Sequence, residues 1–404
     1  MVTHHTPIHR DEKVSAPRVG AGWLALLAAP GAFGLTAPAI VLPRIAEALD
    51  VTLATATWLA TTNGLGVAIG APLAAALVAR RGLRATLLMS TVLMAIGTVI
   101  LGVATDIALA LPGRGLQAVG SAGLIAVAMN LAGTPRRMGL ITSSLAAVAA
   151  IGGLTGSLAT EWIGWPVSLM LPALGLLGLV GTLHRAPRTA TSSRPVDLVG
   201  LALVVALGGA LTAVPTAPAP ALAAAVVSAG ALVLWTRAKP YGFVPHSLLG
   251  NSFFTGACAL VLALGTGYFA LIYLVPHRLL HGSRWSEDGV GIALLVVQLL
   301  GAGLALVMAS RAHRVAPRHV VILLVGIGAA ELLVAFPPLA VTLLLALGLA
   351  QVGAAGGQGV LIAFATDSVD ERDVPVAIGL FNLCYQLGGA FGPALLPLLS
   401  SIST

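Results

Sequence analysis

A long series of apolar segments runs through this chain, the strongest without a single Asp, Glu, Lys or Arg. At 1.5 Å of rise per residue, ~20 apolar residues in a helix cover the ~30 Å hydrocarbon core of a bilayer. Inside that core no water satisfies backbone polar groups, so a spanning segment must be a helix or a strand of a closed barrel. The strand-like alternation that a barrel needs is absent. The chain therefore reads as an all-α polytopic membrane protein. Composition agrees: 58% of residues are hydrophobic and 9% charged, with a mean hydropathy of +0.99, against about 25% charged in a soluble domain.

The expected spans are 21–43, 55–79, 84–104, 107–131, 138–161, 165–184, 197–215, 219–236, 252–276, 288–310, 318–336, 339–365 and 375–399, about thirteen in all. Arg and Lys fall on alternate connections between them. Of 21, three lie in the N-terminal tail, 14 in the even-numbered loops and three (Arg44, Arg278, Arg284) in the odd-numbered ones, with Arg114 inside a span. Cytoplasmic loops retain Arg and Lys because moving them across the bilayer is unfavourable. The expectation is a multi-pass protein of the plasma (inner) membrane with a cytoplasmic N-terminus. Thirteen crossings would leave Thr404 outside. The first 20 residues read as a cytosolic tail, and the apolar segment after them is too long for a cleaved signal peptide.

The net charge of +7 and pI near 10.2 do not point to nucleic acid, because the basic residues are spread over loops rather than gathered in a patch. Membrane lipid headgroups are the expected partners of those loops. Cys258 and Cys384 lie in separate apolar segments, with no CxxC and no disulfide framework. No phosphate-binding loop, hydrolase elbow or zinc signature occurs, and nothing suggests a cofactor or a metal.

The segments divide as 1–20, a tail; 21–184, a six-helix bundle; 185–240, a linker with a central two-helix hairpin; and 241–404, a bundle of five. Pro215-Thr216-Ala217-Pro218-Ala219-Pro220 breaks the hairpin, since proline cannot continue a helix. The turns at Ala79-Arg80-Arg81-Gly82-Leu83-Arg84 and His313-Arg314-Val315-Ala316-Pro317-Arg318 occupy equivalent places in the two bundles. Such a repeat fits two halves related by an axis along the membrane normal, with a site between them near midplane.

On these residues the chain resembles the major facilitator superfamily, in its fourteen-helix drug:proton antiporter branch, over residues ~20–400. Thr36 and Val41-Leu42-Pro43-Arg44-Ile45 match the branch's first helix, with Gly34 at its acidic position and Ala39 at its Asn position. Leu77-Val78-Ala79-Arg80-Arg81-Gly82-Leu83-Arg84 is similar to its second-to-third-helix signature, with Ala79 at the acidic position. Arg114-Gly115-Leu116-Gln117-Ala118-Val119-Gly120 keeps the fourth-helix signature. Gly152-Gly153-Leu154-Thr155-Gly156-Ser157 resembles the antiporter signature with Gly153 for Pro, and Trp165-Pro166-Val167 stands for Trp-Arg-Trp. Asn382-Leu383-Cys384-Tyr385-Gln386-Leu387-Gly388-Gly389-Ala390 is similar to the penultimate helix. The sequence ends at Thr404, where the branch has one further helix. The resemblance implies two pseudo-symmetric bundles, transport by alternating access and proton coupling.

Charged groups inside the membrane are costly, ~2.5–3.5 kcal/mol each by insertion scales, and face partners or cavities. Arg114 has two readings: a cation reaching Asp106 or Glu161, or a cavity residue for substrate or proton coupling. Glu331 is the acidic residue clearly inside a span. It is a formal proton-coupling candidate, with a packing or lipid-edge role as the alternative, since the resemblance places its helix at the periphery. Asn63, Gln117, Tyr268, Gln298, Gln351, Gln358, Asn382, Tyr385 and Gln386, with Asn130, are candidate substrate contacts or interhelical hydrogen-bonding groups. As a set they describe an apolar pocket with a few neutral polar groups. Arg80, Arg81 and Arg84 form an expected gating loop, with Asp367, Asp370, Glu371 and Asp373 as solvated loop or gate partners. His277 and His281 read as a solvated outer loop rather than a metal pair. Cationic cargo normally needs a buried carboxylate to offset its desolvation, and Gly34 supplies none. The expected function is export of a small hydrophobic neutral or anionic metabolite or drug. The alternative is a transporter-like fold serving as a membrane-embedded enzyme or binding protein.

Overall fold

The computed structural model describes residues 19–132, 135–186, 197–214, 217–239, 242, 246–282, 285–312, 314–335, 339–370, 374–396 and 399. The tail to residue 18, Pro215 and Thr216 of the hairpin turn, Arg284, His313, Glu371, Asp373 and Thr404 lie outside them. Every regular element among the described residues is a helix.

The first expected span is broken. Helix α1 (Ala21–Thr36) and α2 (Pro38–Ala48) meet at 58°. Pro38 has no N–H to continue the ladder, and a 3₁₀ turn at Ala29–Ala32 already tightens α1. Helices α3 (Leu53–Val78) and α4 (Arg80–Val103) follow, joined with almost no loop. The chain reverses at Gly82, whose φ of 82° strains any residue with a Cβ. The expected gating loop is thus a helix break one residue wide. Arg80 and Arg81 precede it, exposed, and Arg84 follows it, half-buried.

Then come α5 (Ile107–Ala132), α6 (Pro135–Trp162) and α7 (Trp165–Thr182). Side-chain caps set two starts: Thr52 accepts from the Thr55 N–H at 3.1 Å, and Asp106 from that of Leu109 at 2.8 Å. Helix α7 passes into a 3₁₀ stretch, Leu171–Gly178, with Pro172 near its start.

The central hairpin is α8 (Leu198–Ala213) and α9 (Pro218–Ala238). Asp197 caps α8 and accepts both contacts from the Trp235 indole N–H at 3.0 Å, so one carboxylate ties the two helices. Helix α8 lies against α3 and against the final helix of the last group. That group is α10 (Ser252–Gly282), α11 (Glu287–Ala312), α12 (Pro317–Ala335), α13 (Ala340–Asp367) and α14 (Val374–Ala394). Val352–Gly356 inside α13 is one turn of π-helix.

Each of the thirteen expected segments coincides with a helix. Ten are long and apolar enough to cross a membrane, eleven if the bent first pair is one span. Val199–Ala213 of the hairpin is apolar but shorter.

Small residues set the spacing where helices touch. A methyl at Gly64 would lie 2.5 Å from the Ala390 nitrogen, so α3 and α14 meet backbone to backbone. One apolar cluster joins Leu35, Ile40 and Leu42 to Ile272, Tyr273 and Leu294, and so runs from the first helices into the last group. Without a hydrophobic drive between helices in lipid, this close packing holds the bundle together.

Candidate functional site

Arg114 is fully buried at 0% exposure. Its Nη1 donates to Gln117 Oε1 at 2.7 Å and to the Leu169 carbonyl at 3.0 Å, and its Nη2 donates to the Gly34 carbonyl. Gln117, one turn on, passes the network to Thr98 Oγ1 at 3.1 Å. Asp106 and Glu161, the acidic partners expected of a snorkelling Arg, do not take part. The acceptors are neutral, and Arg114 Nε is buried with no partner.

Two prolines explain why those carbonyls are free. In an α-helix the Gly34 oxygen would accept from residue 38, which is Pro38. In the 3₁₀ register that follows α7's first turns, the Leu169 oxygen would accept from residue 172, which is Pro172. Each proline leaves one buried acceptor, and Arg114 bonds to both. Sequence reasoning missed these two carbonyls and Thr98. The i+4 and i+3 spacings to proline were the available signal.

Gly34 also bears on Asn63. A Cβ at Gly34 would stand 2.8 Å from Asn63 Oδ1 and 2.9 Å from its Nδ2. Asn63, 3% exposed, occupies the space an acidic side chain at 34 would need. Arg114, Gln117, Thr98, Gly34 and Asn63 form one group.

The remaining polar candidates separate. Tyr268 donates to Gln298 Oε1 at 3.0 Å between α10 and α11. Gln358 donates to Asn382 Oδ1 at 3.3 Å between α13 and α14. Tyr385 packs its ring edge-on to Phe269 at 5.9 Å. Gln351 lies against Gly301, its Oε1 buried without a partner, and Gln386 is half-buried on α14. Asn130 is exposed and bonds its own helix at the Ala126 carbonyl. The structure therefore distributes the expected set over several helix contacts, rather than around one described cavity.

Glu331 is 2% exposed on α12. A methyl at Gly267 of α10 would overlap its Oε1 and lie 3.3 Å from its carboxyl carbon. Oε2 has no hydrogen-bond partner, and the π-helical turn lies beside it, a methyl at Gly353 reaching to 4.0 Å. The carboxyl is packed between α10 and α13, away from the lipid edge that the sequence had left open for it.

At the end of the bundle where α2, α6 and α11 meet, Arg44 Nη2 and Glu287 Oε1 are 2.7 Å apart, and Ser157 donates to Glu287 Oε2 at 3.1 Å. This is the one ion pair among the described residues. Below it, Tyr273 of α10 donates to the Leu35 carbonyl of α1 at 2.5 Å. A narrow crevice, too tight for a water molecule, runs between Ala39, Ile40 and Pro43 on one side and Tyr273 and His277 on the other. The His277 and His281 rings lie 4.5 Å apart, tilted by 39°, and His281 Nδ1 meets the His277 carbonyl at 2.9 Å. At the opposite end Asp367 and Asp370 are exposed and make no ion pair with Arg80, Arg81 or Arg84 among the described residues.

Comparison with known proteins agrees with this architecture. The family model of the Major Facilitator Superfamily matches residues 22–393. The Multidrug export protein EmrB of Escherichia coli (strain K12) is 26% identical over 305 residues, 70% of this chain and 59% of that protein. The chain thus spans about three-fifths of the length of that relative. The Lincomycin resistance protein of Streptomyces lincolnensis is 29% identical over 409 residues, 92% of this chain and 82% of its own. Among solved structures, a peptide transporter POT in complex with alafosfalin superposes with a TM-score of 0.64 at 14% identity, over 94% of this chain and 87% of that one. A bacterial homologue of the human lysosomal transporter Spinster gives 0.61 at 16% identity, over 95% and 82%. The chain belongs to the major facilitator superfamily and is a multi-pass membrane protein.

Proposed function

We propose that this facilitator-superfamily protein is an exporter of small hydrophobic molecules, neutral or anionic, and works by alternating access between bundles 21–184 and 241–404. The names of the relatives, a multidrug export protein and a lincomycin resistance protein, support export. Charge alternation supports an inner-membrane protein with a cytoplasmic N-terminus, which puts the Arg44–Glu287 pair on the outer side.

The observation that carries the cargo class is Arg114. A buried guanidinium surrounded by neutral oxygens, with Nε unpaired, is complementary to a carboxylate or phenolate and unfavourable for a cation. Neutral cargo would meet the amides of Gln117 and Asn63 in the same group.

The break at Pro38 links the two places. Arg44 of the outer pair and Gly34, whose carbonyl holds Arg114, lie on opposite sides of the 58° bend. Opening the outer end moves α2 against α1. That motion shifts the Gly34 carbonyl and frees one edge of Arg114 for exchange with cargo.

Proteoliposomes loaded with carboxyfluorescein, an anionic amphiphile, test this reading. The wild type moves the dye across the bilayer, and Arg114→Ala does so ~10- to 150-fold more slowly, the equivalent of a charged hydrogen bond of ~1.5–3 kcal/mol. Transport of a quaternary ammonium dye that survives Arg114→Ala would sink the assignment.

A further inference from the structure

We propose that Glu331 is a proton-binding site of the last group of helices, seated between Gly267 and the π-helical turn Val352–Gly356. The proposal rests on the exporter reading only for what the proton would drive.

The carboxyl is inside a span, nearly inaccessible, and one of its oxygens has no partner. An ionised carboxylate in such a place is expensive, and binding a proton removes the charge. The seat is built for the group. Gly267 leaves the space that Oε1 fills, and the π-helical turn passes close to Oε2 at Gly353, where an added methyl would lie 4.0 Å from that oxygen. No neighbouring charge does the proton's work. The whole of α13 carries one charged residue, Asp367, at its far end. On α10 the titratable groups are Cys258, Tyr268, Tyr273, His277, Arg278 and His281. Arg278 lies eleven residues beyond Gly267, roughly 16 Å along the helix, and donates instead to the Ala335 and Leu399 carbonyls. On α12 itself, Arg318 and His319 stand at the opposite end from Glu331.

The π-turn is the part that can move. An extra residue in one turn leaves the ladder locally wide, and such turns recur at functional sites. Relaxing Val352–Gly356 to α-helical register would shift Gly353 and admit water to the carboxyl. Proton and carboxylate then separate into water, and the reverse step restores the packed, neutral group. A monovalent metal ion would need several oxygens, and no cluster of three His, Cys, Asp or Glu occurs among the described residues.

Infrared difference spectroscopy of the purified full chain in detergent decides the matter without any cargo. At neutral pH, where exposed carboxylates are ionised, the wild type shows the carbonyl stretch of a protonated carboxyl, and Glu331→Gln lacks it. A wild type with no such band, or a band that persists in Glu331→Gln, overturns the proposal. So does a band abolished by sodium at constant pH, which would assign the group to a metal cation. Gly267→Ala puts a methyl in the space of Oε1, and is expected to shift the band. An unshifted band there removes the proposed seat, even should Glu331→Gln fail to fold. In carboxyfluorescein proteoliposomes, Glu331→Gln keeps dye exchange at equal pH and loses accumulation driven by a pH gradient. A variant that still accumulates dye breaks the coupling. A wild type that moves no dye counts against the exporter reading, while the infrared result still stands.

Discussion

At Arg114 each terminal guanidinium nitrogen ends on a neutral oxygen, while at Glu331 one carboxylate oxygen ends on nothing. These are the two charged side chains that are buried among the described residues, one in each group of helices. Their chemistry explains the contrast. A guanidinium stays protonated in proteins, so its charge must be met by acceptors. The chain supplies them by placing Pro38 and Pro172 where they strip two carbonyls of their donors. A carboxyl can discard its charge by taking a proton. It therefore tolerates a seat lined by glycines, and a fixed cation would not. One buried charge is held by geometry, and the other, on the proposal above, comes and goes with a proton.

The sharpest test of that contrast replaces both by the same residue. Arg114→Gln leaves a side chain too short to serve Gly34, Leu169 and Gln117 together. Two buried carbonyls then lose their partner, at ~1–3 kcal/mol each, partly offset by ~2.5–3.5 kcal/mol of relieved charge burial. The net change in stability is then at most ~3.5 kcal/mol, and the larger loss falls on dye transport. Glu331→Gln keeps the shape of the neutral carboxyl and leaves equal-pH exchange intact. Equal losses of exchange in the two variants would mean that both charges are structural.

A smaller effect is expected where the first helix lacks its acid. Gly34→Asp drives a Cβ into the Asn63 amide and is expected to destabilise by ~1–3 kcal/mol, the usual cost of overpacking. Truncating the neighbour in Gly34→Asp/Asn63→Ala relieves the overlap and sets a carboxylate beside Arg114. The double variant should recover thermal stability in detergent and gain transport of a quaternary ammonium dye. Recovery of stability with cargo preference unchanged would detach Arg114 from cargo selection.

The helices themselves were legible. Apolar runs of spanning length carry their own fold instruction in lipid, and each of the thirteen segments is helical. The partnership of Arg114 was less legible, because its acceptors are backbone atoms at positions 34 and 169, and sequence shows only the prolines that free them. Glu331 could be singled out as an acid in an apolar segment. Its seat could not, since it depends on Gly267, one of 48 glycines, facing the carboxyl across the α10–α12 contact. Residue type does not distinguish Tyr268 and Gln298, which bond each other, from Asn130, which bonds its own helix. In the sequence Arg44 is one of three charges on the odd-numbered loops, and nothing there links it to Glu287. Only the packing of α2 against α11 makes them a pair.

That pair gives the smallest effect and limits how far the contrast extends to the surface. Arg44 is 46% exposed and Glu287 23%, so solvent screens much of their attraction. Exposed pairs contribute ~0.2–1 kcal/mol in double-mutant cycles, at most about a fivefold shift in an equilibrium. Glu287 also accepts from Ser157, so removing the acid breaks two contacts and removing Arg44 breaks one. Glu287→Ala should therefore open this end of the bundle more than Arg44→Gln, read as faster maleimide labelling of a cysteine at His277 on the crevice wall. Both effects should shrink in high salt, because a partly exposed pair is screened. If labelling in Arg44→Gln matches the wild type at low salt, the closed end is held by the Tyr273–Leu35 bond and apolar packing. Charge would then matter in this protein only where it is buried.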